Sequence, residues 1–248
     1  MWDLLIENKS AHSQVPPQRY NVEGYYHPHG ERPGSIHSTG GYFIQEDIHA
    51  FDNAFFNIHN LEATYMDAQQ KKLLEVVYEA FENANVRLDH IQGSKTGVYV
   101  GNFTYDHMVM QYNDAEYFSR YSATGISPAV LANRITYTFD LRGPSFTLDT
   151  ACSSSLYALH SACLALDAFD CDAAVVASAN LIQSTEQQLL AIKAGILSPD
   201  SICHTFDEAA NGYGRAEGVS ALYLKRLSDA IRDGDPIRSV IRGTAANG

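Results

Sequence analysis

Apolar and polar positions alternate along this chain with two different periods, and the change from one to the other marks the elements. Over 62–84, Leu73, Leu74, Val77, Ala80, Phe81 and Ala84 recur at helical spacing, with Gln69, Gln70, Lys71, Lys72 and Glu82 among them. This predicts one long amphipathic helix. Thr96-Gly97-Val98-Tyr99-Val100-Gly101 reads as a short strand closed by glycine. Ser145 to Asp149 predicts another strand, and Ser153 to Leu166 a helix with Leu156, Leu159, Cys163 and Leu166 on one face. Ala173 to Ala179 is apolar continuously, the mark of a strand buried on both faces. Thr185 to Ala194 predicts a helix stopped by Gly195, Val219 to Leu224 a strand, Leu227 to Asp233 a short helix, and Pro236 to Arg242 a final strand. Strands alternating with helices predict an α/β layered fold.

Residues 1–60 follow neither period. They are rich in aromatics, His, Pro and Gly, and Arg32-Pro33-Gly34-Ser35 and Thr39-Gly40-Gly41 read as turns. No repeat, linker or low-complexity segment interrupts 1–248, a length enough to bury a large core in one or two domains.

Composition and charge then remove whole classes of function. The net charge of −12 over 248 residues opposes binding to nucleic acid, whose phosphates demand a basic face, and opposes adhesion to anionic membranes. Lys225, Arg226, Arg232, Arg238 and Arg242 concentrate basic charge near the end, but Asp229, Asp233 and Asp235 are interspersed, so an ordinary solvated face is expected. The start, Met1 to Lys9, is acidic and lacks a long apolar run, so neither a secretory signal nor a membrane span is expected. Cys152, Cys163, Cys171 and Cys203 show no CxxC spacing, which points to reduced thiols and a cytoplasmic setting.

The most informative stretch is Gly143 to Leu156, where a strand runs into small residues, then Cys152, then a helix. Helix starts carry unpaired N–H groups and the positive end of the dipole, both of which stabilise a thiolate. Ala151, Ser153 and Ser154 are small enough to let a bulky substrate reach the sulfur. The plain alternative is a structural cysteine in the core.

Other candidates are weaker. His27, His29, His37, His49 and His59 show no metal-ligand spacing, and no metal is expected. His160 follows Cys152 by eight residues, about 12 Å along a helix, too far to act as its base. Gly212-x-Gly214-x-x-x-Gly218 has the wrong spacing for a dinucleotide fingerprint and reads as a tight hairpin. No phosphate-loop, serine-hydrolase or papain-like signature occurs.

Asp149-Thr150-Ala151-Cys152-Ser153-Ser154-Ser155-Leu156 resembles the nucleophile motif of β-ketoacyl synthases, the condensing domains of polyketide and fatty-acid synthases. The segment Ala132 to Ser145 is similar to the stretch preceding that cysteine in the family. Leu197-Ser198-Pro199-Asp200, Phe206-Asp207 and Asn211 to Gly218 match its next landmarks. Met66-Asp67-Ala68-Gln69-Gln70-Lys71 is similar to the family's helix start Met-Asp-Pro-Gln-Gln-Arg, and Phe55 to Asn60 replaces its Phe-Phe-Gly-Ile-Ser-Pro. Val100 to Thr104 and Tyr121 to Gly125 look most like iterative, highly reducing fungal polyketide synthases.

The resemblance implies a thiolase-like α/β layered fold, here expected to be incomplete, lacking the first strand and the C-terminal half. It implies that Cys152 accepts an acyl group, that its N–H serves an oxyanion hole, and that Phe206 lines the acyl pocket. Decarboxylative condensation with a malonyl unit would follow in a complete domain. No cofactor is expected on the chain itself. The implied partners are an acyl/malonyl carrier protein bearing phosphopantetheine and, for a complete domain, a second copy as homodimer. The family's two histidine motifs would lie beyond Gly248, so the alternative expectation is a truncated ketosynthase with no activity of its own. A coenzyme A-using thiolase shares the fold but departs from the Asp149–Cys152 and Gly212–Arg215 patterns.

Overall fold

The computed structural model describes residues 2–29 and 32–247; Met1 and Gly248, the ends of the expected 1–248 span, lie outside them, as do Gly30 and Glu31. The chain divides into two compact units, one of Met1–Asp47 with Leu181–Gly218 and the other of Ile48–Asn180 with Val219–Gly248.

In the smaller unit, α1 (Trp2–Ile6) precedes β1 (His12–Gln14), which pairs antiparallel with β2 (Gly40–Tyr42). Gly40 and Gly41 of the expected turn are therefore strand. These glycines answer a close approach: a Cβ on Gly40 would sit 2.6 Å from His12 Nε2. Gly34, by contrast, does turn the chain, at φ +68°.

The larger unit begins with α2 (Asn60–Tyr65) and α3 (Ala68–Asn83). The expected single helix over 62–84 is thus two. Met66 is extended, and the Asp67 carboxylate accepts from Gln69 N at 3.0 Å, which starts a new helix. Then come α4 (Leu88–Ile91), β3 (Thr96–Gly101), α5 (Asp106–Asn113), α6 (Ser122–Ile126), α7 (Ala129–Thr138), β4 (Ser145–Leu148), α8 (Ser154–Asp167) and β5 (Ala173–Asn180). In the smaller unit comes α9 (Glu186–Lys193), and the chain returns through β6 (Gly218–Lys225) to α10 (Leu227–Asp233). Asn57 takes the left-handed conformation at φ +54°, a region that asparagine tolerates, so the altered turn before α2 closes.

The sheet has the order β4-β3-β5-β6. β3 runs parallel to both β4 and β5, with Val98 opposite Ser145 and Val175. All six residues of β3 are buried because helices cover both faces. One face packs Leu73, Leu74, Val77 and Phe81 of α3 and Leu131, Ala132 and Ile135 of α7 on Val98, Val100 and Val175. The other carries α8 on Tyr99, Ala174 and Val176.

Here the expected helix face is wrong by a rotation. Ala158, Ala162, Ala165 and Leu166 face the sheet, while Leu156 is 67% exposed. The reason is distance: α8 starts so close to the sheet that small side chains lie beneath its first turns, and a leucine fits only in its last. Two further expectations also fail. Residues 212–217 form no hairpin; they run out through isolated bridges, Leu197 to Tyr213 and Tyr42 to Ala216. Residues 236–242 form no strand, because no neighbour among the described residues supplies the other half of a ladder.

The smaller unit is fastened by a buried ion pair. Arg19 Nε donates to Glu217 Oε1 at 2.7 Å and Nη2 to Oε2 at 2.9 Å, with side chains 3% and 0% exposed. The same carboxylate accepts from Ile44 N at 2.9 Å and Ile182 N at 3.0 Å, so four chain segments meet on it. Glu217→Ala strands a buried guanidinium and two amides. It is expected to destabilise the protein by about 3–5 kcal/mol in urea unfolding. Glu7→Ala, at the exposed pair with Lys9, is expected to change stability by about 0–1 kcal/mol.

Candidate active site

Cys152 is exposed and stands one residue before Ser153, the N-cap of α8. The turn that presents it is built almost wholly from its own sequence. Ala151 is forced to φ +54°, a left-handed conformation that costs an alanine about 1–2 kcal/mol. Hydrogen bonds offset that strain. Asp149 Oδ1 accepts from Ala151 N at 2.8 Å, Thr150 N donates to Ser154 Oγ at 2.9 Å, and Ser154 Oγ donates to the Ala151 carbonyl at 2.6 Å. Ser153 Oγ donates to the Thr150 carbonyl at 2.8 Å. None of these bonds uses the Cys152 N–H.

The helix end beneath is placed by β3. A Cβ on Gly101 would lie 2.5 Å from Ser154 C and Ser155 N, so only glycine lets α8 start there. The loop after β3 supplies a second support. Tyr105 donates its hydroxyl to Asp149 Oδ2 at 2.5 Å. That bond, with partial burial behind it, pushes the Tyr105 phenol up to about 12.

The other cysteines are differently placed. Cys171 is buried and Cys163 half-buried, and burial pushes both thiols up. Cys203 is exposed, but its sulfur accepts from Gly214 N at 3.3 Å. His160 is engaged with Thr244 Oγ1 at 2.8 Å. His59 caps α2 by accepting from Leu61 N, and His27 Nδ1 accepts from His29 N. Among the described residues no group of three His, Cys, Asp or Glu side chains is arranged to hold a metal.

Phe206 belongs to the smaller unit, Cys152 to the larger. Phe206 sits at φ +64° on a loop with its ring fully exposed. Sequence reasoning singles out both residues but gives no role to Tyr105 or to the side chain of Asp149. An Asp two residues before a left-handed residue is a readable signal of an Asx turn. The tyrosine, 44 positions away, carries none.

Residues 1–230 match the family described as "Beta-ketoacyl synthase, N-terminal domain". The chain belongs to the β-ketoacyl synthase family. It is 61% identical over 247 residues to the highly reducing polyketide synthase srdA of Neurospora crassa, and equally to highly reducing polyketide synthase 19 of Pyricularia oryzae. Each match covers 100% of this chain and 10% of the relative, so the chain spans about a tenth of these proteins. Among solved structures, an oxazolomycin ketosynthase domain of Streptomyces albus JA3453 superposes with TM-score 0.89 at 36% identity, over 95% of this chain and 41% of that one. The module 6 ketosynthase of the bacillaene synthase of Bacillus subtilis 168 gives 0.81 at 37% identity, over 95% and 38%. The α/β architecture is thus the thiolase-like one of ketosynthases, as expected from the sequence.

The basic residues near the end of the chain are largely neutralised within it. Lys225 pairs with Asp233 at 2.7 Å and Asp235 at 2.5 Å; Arg226 pairs with Asp229 at 2.7 Å and Asp172 at 3.0 Å. Arg232 pairs with Asp229 and Asp233. Arg232 is exposed, as a solvated face requires, but Lys225 and Arg226 are not: their side chains are 15% and 16% exposed, and Arg226 donates to the Leu166 and Cys171 carbonyls.

The loop carrying Phe206 is hinged on Asp200, which accepts from Ser198, from His204 at 2.9 Å and from Ile202 N at 3.1 Å. Those bonds, Ser198 foremost, hold its carboxyl down at about 2. A depressed carboxyl contributes stability that is complete above its unfolded value near 3.9 and is lost as pH falls towards about 2. Amide exchange at Ile202 is expected to accelerate, relative to an exposed reference amide, through that window. In Asp200→Asn, which does not titrate, the extra pH dependence is expected to vanish.

Proposed function

We propose that this chain carries the acyl-accepting half of a ketosynthase active site, with Cys152 as nucleophile. The observation that carries the proposal is the strained, hydrogen-bonded turn that presents an exposed Cys152 at the start of α8. The Cys152 sulfur attacks an acyl thioester carbonyl, a new S–acyl bond forms, the donor C–S bond breaks, and the departing thiol takes the proton. The uncommitted N–H of Cys152 donates to the oxyanion formed on the way. Phe206, an exposed ring on a polar-hinged loop, contributes to the acyl pocket.

Condensation belongs to the ketosynthase domain as a whole, of which 1–248 forms part. There a malonyl unit loses carbon dioxide, and its α-carbon attacks the Cys152 thioester to give a chain two carbons longer with a new β-ketone. Acyl and malonyl groups would arrive on the phosphopantetheine of a carrier protein. A second copy is the further partner, for which β4 offers an open sheet edge with Phe146 41% exposed. No helix among the described residues is long and apolar enough to cross a membrane. With free thiols throughout, a cytoplasmic setting suits this chemistry.

Incubation with an acyl N-acetylcysteamine thioester, then peptide mass spectrometry, is expected to place one acyl group on the Cys152 peptide. Cys152→Ala should remove it. Acylation of Cys203 in place of Cys152 would overturn the assignment.

A further inference from the structure

We propose that Tyr105 is a positioning residue for Cys152 and acts through Asp149. The two carboxylate oxygens of Asp149 have different tasks. Oδ1 accepts from Ala151 N at 2.8 Å, the bond that favours the left-handed backbone immediately before Cys152. Oδ2 accepts from the Tyr105 hydroxyl at 2.5 Å. An exposed carboxylate is free to rotate about its own side chain. With Tyr105 on one oxygen, the other stays aimed at the amide.

The tyrosine is itself fixed from behind. Thr104 Oγ1 donates to Gln69 Oε1 at 3.1 Å, and Gln69 Nε2 donates to the Thr104 carbonyl at 3.3 Å. Asn102 Nδ2 donates to the same Gln69 oxygen at 3.0 Å and to the Ala179 carbonyl, also at 3.0 Å. Gln69 is 1% exposed and held to Asp67, the cap of α3. A continuous path of short polar contacts therefore leads from the buried start of α3, through the loop after β3, to the residue preceding the sulfur. Asp149 is exposed, so the outer end of this path adds little to the core, and its evident consequence is the orientation of the turn.

The inference rests on the reading of Cys152 as nucleophile, and its test reads the sulfur without any acyl substrate. In the full chain, the rate of iodoacetamide labelling at Cys152 is measured by peptide mass spectrometry, with Cys203 as internal control. Tyr105→Phe keeps the ring and removes one hydroxyl. It is expected to slow Cys152 labelling by about tenfold, the loss of one hydrogen bond to a charged acceptor, with Cys203 unchanged. Asp149→Ala is expected to slow it at least as much. The double variant should be no slower than Asp149→Ala, because both act on one path. Wild-type labelling in either single variant, or additive losses in the double variant, would overturn the proposal. If Tyr105→Phe fails to fold, as a faster Cys203 would reveal, Tyr105→Met, an apolar side chain without the hydroxyl, decides it by the same two rates. A Cys152 that behaves as expected here yet takes no acyl group contradicts the ketosynthase reading and leaves this one standing.

Discussion

The start of α8 rests on Gly101 of β3 with no room for a single extra carbon, and the arrangement of the larger unit depends on that contact. Because the helix starts so near the sheet, its inner face is built mainly of Ala158, Ala162 and Ala165, with Leu166 only in its last turn, while Leu156 and Leu164 turn outward. The chain between β4 and α8 must then climb and reverse within Asp149 to Ser153. A left-handed Ala151 accomplishes the reversal, and Cys152 is carried to the surface at its crest. One missing methyl group thus determines where the sulfur stands.

Both loops of the candidate site, Asn102–Tyr105 and Asp149–Cys152, leave the carboxyl ends of neighbouring parallel strands. Parallel sheets covered on both faces offer binding sites at that end, where loops are free of the packing that governs the layers. The sheet brings the two loops together by pairing Gly101 with Leu148. Local chemistry completes the site: a carboxylate is shared between a phenol and an amide, and two serines close the turn. Polar groups do here what apolar packing does in the layers, holding a strained backbone in one conformation.

Much of this is legible in the sequence, for identifiable reasons. β3, β5 and α10 follow their apolar patterns almost to the residue, since burial on two faces or one leaves a plain signature. The placement of Cys152 at the start of α8 is legible because small residues, a strand and a helix flank it. The break at Met66 is invisible to the apolar period, and only the likeness of Met66–Lys71 to the family's helix start marks the place where Asp67 caps α3. The face of α8 is misread because periodicity ranks leucine above alanine, whereas the near sheet takes mainly alanines, with Leu166 in the last turn. Residues 236–242 and the two glycines of β2 show the same limit: whether such a segment becomes strand depends on a partner elsewhere in the chain. Gln69 and Gln70, both 1% exposed, have the polarity of surface positions and are instead anchors, Gln70 donating to the Thr124 and Gly125 carbonyls.

The dependence of the sulfur's position on the contact between β3 and α8 is tested most directly by Gly101→Ala, read at once by urea unfolding and by iodoacetamide labelling of Cys152. The added methyl must push α8 away from β3. The expected result is a loss of about 1–3 kcal/mol from overpacking, Cys152 labelling slowed by about tenfold or more (about 1.4 kcal/mol), and no change at Cys203. A variant as stable as the wild type, with Cys152 labelled at the wild-type rate, would contradict that dependence.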